Sequence, residues 1–247
     1  MVRNKNVVIT GCLQGIGKET LKVFSNHGAT VVACAYKNDS EFLDYCKELE
    51  FENKTKIYPI FFDMSDNDEI KRAAKEINNL RLDIDGLVNV AGMNKDANFG
   101  MISYQDLFDT FQINVFSQIL FSQYIVRMML RGEKKNKSVV FTSSMAAVFG
   151  STGQTAYSAS KAAIIGAVHT MAMELGVKGI RVNAIAPGII KSPMTDKLDQ
   201  EYINQEVCKM DIPHIGTCED AANLYMYLIS DLSSHVSGQV IQLNGGM

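Results

Sequence analysis

The stretch NVVITGCLQGIG, residues 6–17, joins a short apolar run to three closely spaced glycines. The run NVVIT is rich in β-branched residues and largely apolar, which is typical of a strand buried within a parallel sheet. The glycines follow as Gly11-x3-Gly15-x-Gly17 and lead into an amphipathic pattern that predicts a helix over 16–27. Glycine permits the positive φ of a tight turn and the close approach of a phosphate, and helix N-termini bind anions. Residues 6–27 are therefore predicted to bind a dinucleotide.

The pattern of a strand followed by a helix repeats along the chain. Six further apolar runs predict strands at 30–35, 56–62, 86–91, 138–143, 180–186 and 239–244. Helical periodicity predicts helices at about 40–50, 66–79, 104–131, 156–176 and 218–230. Such alternation gives parallel strands joined by right-handed crossovers. We therefore predict an α/β fold, a Rossmann-type doubly wound parallel seven-stranded sheet with helices on both faces, in a single domain spanning residues 1–247.

Composition excludes several classes of function. The net charge is −3 and the sequence has no long basic run, so neither nucleic acid nor an anionic membrane is expected as a partner. The five cysteines are scattered without a CxxC pair, which indicates reduced thiols and predicts neither disulfides nor a metal site. The N-terminus has no signal-peptide pattern, and no apolar run reaches the ~18 residues that span a bilayer. We expect a cytoplasmic protein.

The residues that end the second strand bear on the choice of cofactor. An acidic residue there accepts hydrogen bonds from the ribose hydroxyls of NAD and repels the 2′-phosphate of NADP. This chain has Ala35 at that position, followed by Tyr36 and Lys37. The missing carboxylate and the neighbouring cation favour NADP(H) over NAD(H). Asp39, slightly further along, keeps NAD(H) open as the alternative.

A tyrosine and a lysine lie one helical turn apart in TAYSASKAAIIG, residues 155–166. Their i, i+4 spacing places Tyr157 and Lys161 on one face of the predicted helix. An ordinary tyrosine has a pKa near ~10, and a nearby ammonium lowers that pKa toward neutrality. Ser143 and Ser144 end the fifth strand, where a hydroxyl could bind a substrate carbonyl beside the phenol. These residues predict a site that moves a proton to or from a carbonyl oxygen.

A long connection follows the sixth strand. Residues 187–217 hold three of the four prolines and mix charged side chains with apolar ones such as Met194 and Met210. Long connections at the carboxyl ends of parallel strands commonly form substrate loops. We therefore predict that residues 187–217 form a substrate loop or lid.

Taken together, these motifs resemble the classical branch of the short-chain dehydrogenase/reductase family. The resemblance covers essentially the whole chain and rests on Thr10-Gly11-x3-Gly15-x-Gly17, Asp63, Asn89-Val90-Ala91-Gly92, Asn114, Ser144, Tyr157-x3-Lys161, Pro187-Gly188 and Asn244-Gly245-Gly246. It implies an NAD(P)-dependent oxidoreductase that transfers a hydride between the nicotinamide and a ketone or secondary alcohol.

The resemblance also implies a role for each site residue. Tyr157 is expected to be the general acid in reduction or the base in oxidation. Lys161 would tune the tyrosine and hold the nicotinamide ribose, and Ser144 would orient the carbonyl, with Ser143 as its substitute. Asn114 would hold a water that relays protons to Lys161. Besides Tyr157 and Lys161, the residues expected to contact the cofactor are Gly11, Gly15, Ile16, Gly17, Tyr36, Lys37, Asp63, Met64, Asn89, Ala91, Gly92, Pro187, Gly188, Ile190 and Ser192.

Within the family, the chain is similar to 3-oxoacyl-acyl carrier protein reductases in its PGIIKSPMT and GQVIQLNGGM segments. This predicts reduction of a 3-oxoacyl thioester or similar ketone with NADPH. A sugar or other polar alcohol is the alternative substrate, suggested by the charged segment 191–213, and a non-catalytic dinucleotide-binding protein is the second alternative. Met173 stands where a carrier-binding arginine is common, which leaves docking of an acyl carrier protein open. Helices 104–131 and 156–176 pair between subunits in relatives and predict a homotetramer, or otherwise a dimer.

Overall fold

The strand, turn and helix at the start of the chain form as the sequence predicts. The structure, a computed structural model, describes residues 1–196 and 198–246. Strand β1 covers Asn6–Ile9, and helix α1 covers Gly15–Asn26. Between them, Gly11 and Gly15 take the positive φ angles of 75° and 56° that glycine adopts without strain.

All seven predicted strands form and lie in one parallel sheet. The strands after β1 are β2 (Thr30–Ala35), β3 (Ile57–Phe61), β4 (Gly86–Asn89), β5 (Lys137–Thr142), β6 (Ile180–Pro187), β7 (Ile190–Lys191), β8 (Gly216–Thr217) and β9 (Val240–Leu243). The order across the main sheet is β3-β2-β1-β4-β5-β6-β9, and every neighbouring pair is parallel. The two-residue strands β7 and β8 pair only with each other. The predicted fold class is confirmed.

The direction in which the chain crosses the sheet reverses between β1 and β4. Strands β2 and β3 lie on one side of β1, and the later strands lie on the other. In a doubly wound sheet, ligands bind in the crevice at such a reversal, beyond the carboxyl ends of the strands. The glycine turn after β1 and the segment after β4 therefore meet where a ligand is expected.

Helices cover both faces of the sheet, as predicted. The helices after α1 are α2 (Ser40–Asn53), α3 (Asn67–Asn79), α4 (Tyr104–Phe111), α5 (Ser117–Met129), α6 (Ala146–Phe149), α7 (Thr155–Gly176), α8 (Gln200–Val207) and α9 (Cys218–Ile229). Helices α1, α2 and α9 bury Phe24, Phe42 and Tyr225 in the core on one face. Helices α3, α5 and α7 bury Ile70, Phe121 and Ile164 on the other. Within residues 1–196 and 198–246, no helix combines the length and hydropathy needed to cross a membrane.

The sequence predicted one continuous helix over 104–131, and this prediction is wrong at its centre. A π-helical turn over Gln112–Phe116 separates α4 from α5. The wider turn holds Asn114 in the interior, where its side chain is 0% exposed and bonds the backbone N–H and C=O of Met93. Helical periodicity cannot reveal such a contact, because the partner lies on a distant segment. Turns of this kind inside helices frequently mark functional sites.

Apart from Lys197, which lies outside the described residues, the segment 187–217 is more ordered than its composition suggested. It contains α8, the β7–β8 ladder joins its start to its end, and the C-terminal residues hold it at two points. The amide of Gly188 donates to the carbonyl oxygen of Leu243 at 2.8 Å, and the amide of Ile212 donates to that of Gly245 at 2.8 Å. The end of the chain therefore fixes both the start and the later part of the segment predicted to be a lid.

Candidate active site

A cavity of about 490 Å³ lies at the crevice between β1 and β4. Ten residues that the sequence assigned to the cofactor line it, namely Gly11, Gly15, Ile16, Gly17, Tyr36, Asp63, Met64, Ala91, Gly92 and Ser192. Its lining also includes Phe62, Ile113 and Met194, which the sequence did not single out as cofactor contacts. Small-molecule and cofactor sites typically have this volume and a largely apolar lining.

Two glycines of the turn are required by close backbone contacts. A Cβ on Gly17 would lie 2.1 Å from the carbonyl oxygen of Gly11, and a Cβ on Gly11 would lie 2.9 Å from the amide nitrogen of Ala91. Gly15 has more room, since its nearest neighbour would be Pro193 Cδ at 3.7 Å, and its positive φ is the reason for glycine there. The turn is therefore pressed against both its own helix and the end of β4.

The first turn of α1 lines the cavity and leaves its backbone N–H groups available. Gln14 precedes the helix and makes no side-chain cap bond to any residue that the structure describes, and residues 15–18 carry no acidic side chain. In contrast, the side chains of Asp39, Asp66 and Thr217 cap α2, α3 and α9. An uncapped helix N-terminus presents free donors and a positive dipole end to an anion. This arrangement fits the pyrophosphate of a dinucleotide.

The end of β2 places the residues that bear on cofactor choice. Ala35 and Tyr36 line the cavity. Lys37 lies outside the lining, with its Nζ 3.7 Å from Asp39 Oδ2 and over the ring of Tyr36. Asp39 Oδ1 accepts a hydrogen bond from the amide of Phe42 at 3.0 Å as the N-cap of α2. Both oxygens of Asp39 thus have partners, which weighs against its reading the ribose hydroxyls of NAD.

Seven residues that the sequence assigned to the cofactor lie outside the lining of this cavity: Lys37, Asn89, Tyr157, Lys161, Pro187, Gly188 and Ile190. Asn89 is fully buried and its Nδ2 donates to Ser122 Oγ at 3.0 Å, so its side chain joins β4 to α5. Its Oδ1 has no hydrogen-bond partner among the described residues. The carbonyl oxygen of Ile190 accepts from Thr195 Oγ1 at 2.7 Å. The structure therefore brings together most, but not all, of the predicted cofactor residues.

Tyr157 stands in the first turn of α7, with the hydroxyl of Ser144 beside it. Burial raises the pKa of Tyr157 above its ordinary value; Ser144 opposes this rise, and the carboxylate of Asp96 adds to it. The sequence predicted that Lys161 lowers this pKa. In the structure the Lys161 Nζ lies 5.8 Å from the centre of the Tyr157 ring, and burial is the largest influence on the pKa of the phenol.

Lys161 is buried, and within the part of the chain that the structure describes its ammonium has one hydrogen-bond acceptor. The side chain is 2% exposed, and its Nζ donates to the carbonyl oxygen of Thr142 at 2.9 Å. Burial disfavours the charged form and lowers the pKa of Lys161 to about 8. A lysine that ionises this close to neutral pH can exchange its proton during a reaction.

Asn114 joins the segment after β4 to α7, beside Lys161. Besides its two bonds to Met93, its Nδ2 donates to Ser160 Oγ at 3.0 Å. Gly92 leaves room for both polar groups, because a Cβ there would lie 3.2 Å from Asn114 Oδ1 and 3.2 Å from Lys161 Nζ. The structure thus brings all four predicted catalytic residues into one connected cluster.

The structure separates the roles of the two adjacent serines. Ser143 Oγ is buried and donates to the carbonyl oxygen of Lys161 at 2.9 Å, so its hydroxyl fastens α7 to β5. Ser144 Oγ accepts from the amide of Ala146 at 3.2 Å, and this hydroxyl lowers the pKa of Tyr157. Of the pair, Ser144 is therefore the hydroxyl placed beside the phenol.

Two threonines to which the sequence assigned no role hold the site together. Thr10 Oγ1 accepts from the amides of Val90 and Ala91 at 3.0 and 3.1 Å, which fixes the end of β4 to the end of β1. Thr142 provides the carbonyl oxygen that binds Lys161. Both threonines stand at the carboxyl ends of predicted strands. Since the carboxyl ends of parallel strands meet at the ligand crevice, this position was the sequence signal that could have identified them.

Comparison with known proteins covers the whole chain. A family model described as enoyl-(acyl carrier protein) reductase matches residues 11–247. The 3-oxoacyl-[acyl-carrier-protein] reductase of Thermotoga maritima is 35% identical over 246 residues, which are 100% of this chain and 98% of that protein. The reductase of the same name from Aquifex aeolicus is 30% identical over the same shares of the two chains, 100% and 98%.

Solved structures agree with these relatives. A short-chain type dehydrogenase/reductase from Mycobacterium ulcerans superposes with a TM-score of 0.91 at 28% identity, covering 99% of this chain and 90% of that one. A 3-oxoacyl-[acyl-carrier protein] reductase from Brucella melitensis with bound NAD gives a TM-score of 0.88 at 28% identity, covering 99% and 91%. The likeness extends over the full length of the chain.

Replacing the buried ammonium should stabilise the protein. We expect Lys161→Met to raise the free energy of unfolding at pH 7 by about 1–3 kcal/mol, because each unit of lowered lysine pKa corresponds to roughly 1.4 kcal/mol and the bond to Thr142 is lost in exchange. The pKa of Lys161 is about 8 in the fold and near ~10.4 when unfolded. The free-energy cost of burying Lys161 is therefore largest below pH ~8 and falls as the pH rises toward ~10.4. Denaturant unfolding at pH 7 and pH 10 measures the gain, which should shrink at the higher pH.

The matched control for this prediction is Lys47→Met. Lys47 lies on α2 with a side chain 72% exposed, so its replacement should change stability little and equally at both pH values. A Lys161→Met variant that is less stable than the parent at pH 7, or whose gain is the same at pH 10, would contradict the prediction.

Proposed function

This chain belongs to the short-chain dehydrogenase/reductase family, and we propose that it uses NADPH to reduce the 3-keto group of an acyl thioester to a secondary alcohol. The observation that carries the proposal is the pair of hydroxyls on Ser144 and Tyr157, which lie beside each other near the buried Lys161. Two convergent hydroxyl donors can bind one carbonyl oxygen, which is the atom that gains a proton when a ketone is reduced.

Tyr157 supplies that proton. Because burial raises its pKa, the phenol remains protonated at neutral pH and can donate to the carbonyl oxygen. Ser144 donates a second hydrogen bond to the same oxygen and stabilises the negative charge that develops on it. NADPH, when bound along the cavity, supplies the hydride that reaches the carbonyl carbon. The uncapped first turn of α1 and the glycine turn hold its pyrophosphate.

Lys161 returns a proton to Tyr157 after the transfer. With a pKa of about 8, its ammonium is protonated at neutral pH and still releases its proton readily. Asn114 stands next to Lys161, with both of its amide atoms fixed by the backbone of Met93. We assign to Asn114 the positioning of a water that connects Lys161 to solvent, as the family resemblance implies.

An acyl thioester suits the surroundings of the site better than a sugar. Apolar side chains follow directly on Ser144 in α6, where Val148 and Phe149 are exposed, and Met93 and Met194 line the cavity. An acyl chain can bury against such side chains, whereas sugar hydroxyls require many polar partners. The relatives from Thermotoga and Brucella are named as reductases of 3-oxoacyl groups on a carrier protein. We propose the same class of substrate for this chain.

The description of the family model favours a second candidate, reduction of the carbon–carbon double bond of an enoyl thioester. In that reaction the proton is delivered to a carbon atom, and hydroxyl donors could only bind the thioester oxygen. In ketone reduction, the oxygen that Ser144 and Tyr157 bind is itself protonated. The paired hydroxyls therefore support ketone reduction.

Turnover of matched substrates tests the proposal. With NADPH, we expect an acetoacetyl thioester to be reduced about 100-fold faster than a crotonyl thioester, and NADP-dependent oxidation of sorbitol to be slower still, because only the ketone oxygen uses both donors. Tyr157→Phe should bind NADPH as the parent does but lose about 10³-fold or more in kcat, since a general acid contributes 10²- to 10⁴-fold. Stopped-flow absorbance of NADPH measures the rates, and fluorescence titration measures binding.

The outcomes of this assay are distinct. Faster reduction of the crotonyl thioester would establish the second candidate, and faster sorbitol oxidation would establish a polar-alcohol dehydrogenase. Undiminished turnover by Tyr157→Phe would show that another group is the acid. NADPH binding without turnover of any substrate would indicate a non-catalytic binding protein.

We propose NADPH over NADH on the geometry at the end of β2. Ala35 offers no carboxylate, both oxygens of Asp39 have partners, and Lys37 stands next to Tyr36, which lines the cavity. Fluorescence titration should give a Kd for NADPH about 10-fold or more below that for NADH, because an ion pair with the 2′-phosphate is worth ~1.4 kcal/mol or more. Lys37→Ala should weaken NADPH about 10-fold and leave NADH unchanged.

Lys47→Ala is the control for this titration, since Lys47 is an exposed lysine on α2 already bonded to Asp44 at 2.8 Å. It should leave both affinities unchanged. Tighter binding of NADH by the parent protein, or an equal loss of both cofactors in Lys37→Ala, would count against the assignment.

We propose that the chain forms a homotetramer through α4, α5 and α7. On these helices Tyr104, Phe108 and Met173 are exposed, and the rings of Tyr104 and Phe108 stack at 6.4 Å. Light scattering at micromolar concentration should give about four times the chain mass of 27.3 kDa. Phe108→Glu should lower the mass by placing a charge in the interface, and Phe51→Glu on the exposed side of α2 should not. A monomeric mass for the parent protein would contradict the proposal.

A further inference from the structure

Hydrogen bonds join the loop that follows β4 to the loop that precedes α7, the helix of Tyr157. We call this contact, made by Asn94, Asp96, Ala97, Gly153 and Gln154, the bracket. Asp96 Oδ1, in the first loop, accepts from Gln154 Nε2 at 3.0 Å in the second, and also from Asn94 Nδ2 at 2.8 Å. The amide of Ala97 donates to the carbonyl oxygen of Gly153 at 2.8 Å. Asp96 thus lies at the centre of the contact between the loops.

The bracket is fixed at both ends to parts of the active site. At one end, Met93 exchanges two hydrogen bonds with Asn114, at 2.8 and 2.9 Å. At the other end, Gln154 directly precedes α7, and its carbonyl oxygen accepts from the amide of Ser158 at 2.7 Å. Tyr157 belongs to the helical turn that Gln154 begins. The position of the phenol therefore depends on where the bracket holds the start of α7.

We propose that Asp96 is a positioning residue for the reaction, because its carboxylate holds the start of α7 in place and carries a negative charge near the phenol of Tyr157. This inference deepens the proposed function and rests on it. In reduction the phenol must remain protonated until the substrate carbonyl is bound. A carboxylate near the phenol opposes its ionisation before that moment.

The charged and titratable groups around Tyr157 leave Asp96 as the neighbouring anion. Lys161 faces the ring from the same helix, Ser144 lies beside the phenol at the end of β5, and Tyr225 approaches from α9. Three groups of contacts shift the pKa of Tyr157: burial raises it, Ser144 lowers it, and the carboxylate of Asp96 raises it.

The adjacent lysine does not cancel this charge. Lys95 Nζ bonds to Asp106 at 3.0 Å and to Asp109 at 2.7 Å, and both acceptors belong to α4. The ammonium of Lys95 is therefore held toward α4, while Asp96 bonds to the neutral amides of Asn94 and Gln154. Among residues 1–196 and 198–246, no cation forms an ion pair with Asp96, whose charge lies beside the start of α7.

Two variants of Asp96 separate its bonds from its charge. Asp96→Asn keeps an oxygen that can accept from Asn94 and Gln154 but removes the charge, whereas Asp96→Ala removes both. The probe is the kcat for reduction of an acetoacetyl thioester at saturating NADPH, measured from pH 6 to pH 12. Lys161 loses its proton near pH 8, and a separate decline above pH ~10 follows the loss of the Tyr157 proton. We expect this decline to move to lower pH in both variants, because the phenol ionises more readily without the anion.

The two variants should differ below the decline. Asp96→Asn should keep kcat within about 3-fold of the parent, and Asp96→Ala should lose about 10-fold, because displacement of a reacting group by less than ~1 Å has effects of this size. Raising the salt concentration should move the decline of the parent toward that of Asp96→Asn and leave the variant unmoved, since Asp96 is exposed and its charge is screened. Asp44→Asn, an exposed carboxylate change on α2, should match the parent throughout.

A decline at the same pH in Asp96→Asn and in the parent would overturn the electrostatic part of the proposal. A kcat in Asp96→Ala equal to that of the parent below the decline would overturn the positioning part. The phenol can also be titrated without substrate, by subtracting the ultraviolet spectrum of Tyr157→Phe from that of the NADPH-bound parent. A shift of this titration in Asp96→Asn supports the proposal even where no ketone is reduced, so its failure and that of the proposed function are distinguishable.

Discussion

The contact between the backbone at Gly11 and the backbone at Ala91 is the constraint on which the rest of the site depends. A Cβ on Gly11 would lie 2.9 Å from the amide of Ala91, and the hydroxyl of Thr10 accepts from that same amide and from that of Val90. The ends of β1 and β4 are therefore locked together. From this junction one segment runs into α1, whose first turn lines the cavity, and the other runs through Met93 to Asn114. The junction between β1 and β4 therefore positions both the turn that lines the cavity and the segment that bonds to Asn114.

The buried ammonium of Lys161 lowers the stability of the fold. Lys161 is buried without a carboxylate bonded to its ammonium among the described residues, and its pKa falls to about 8 as a result. Elsewhere in the same structure, the buried Lys137 bonds to Asp83 at 2.6 Å, and the buried Asp85 bonds to Lys134 at 2.8 Å. Those pairs follow the usual rule that buried charges are compensated. Lys161 departs from the rule at the position where a proton must be mobile, as stability is often sacrificed at functional sites.

The sequence was sufficient for the sheet and the glycine turn, because these depend on local periodicity and on residues at strand ends. It also singled out Asn114, Ser144, Tyr157 and Lys161, which the structure places near one another and whose catalytic roles stay a prediction. It was not sufficient for the π-helical turn at Gln112–Phe116 or for the structural use of Asn89. Both depend on amide side chains that bond to distant segments, and a single sequence contains no record of such partners. Asp96 was missed for a similar reason, since its partner Gln154 is 58 residues away. The sequence could not show that burial raises the pKa of Tyr157, because burial is visible only in the structure.

The segment 187–217 links the two ends of the cavity. Near its start, Ser192, Pro193 and Met194 line the cavity, and Pro193 Cδ is the nearest atom to the space beside Gly15. Further along, Ile212 bonds to Gly245, while Gly188 bonds to Leu243 in β9. Movement of the segment away from Gly15 must therefore pull on the C-terminal strand, which pairs with β6 through Pro187 and Leu243. Met145, directly after Ser144, donates its amide to the carbonyl oxygen of Pro187 at 2.9 Å. The backbone next to Ser144 is therefore connected through Pro187 to the segment whose residues Ser192 and Pro193 line the cavity.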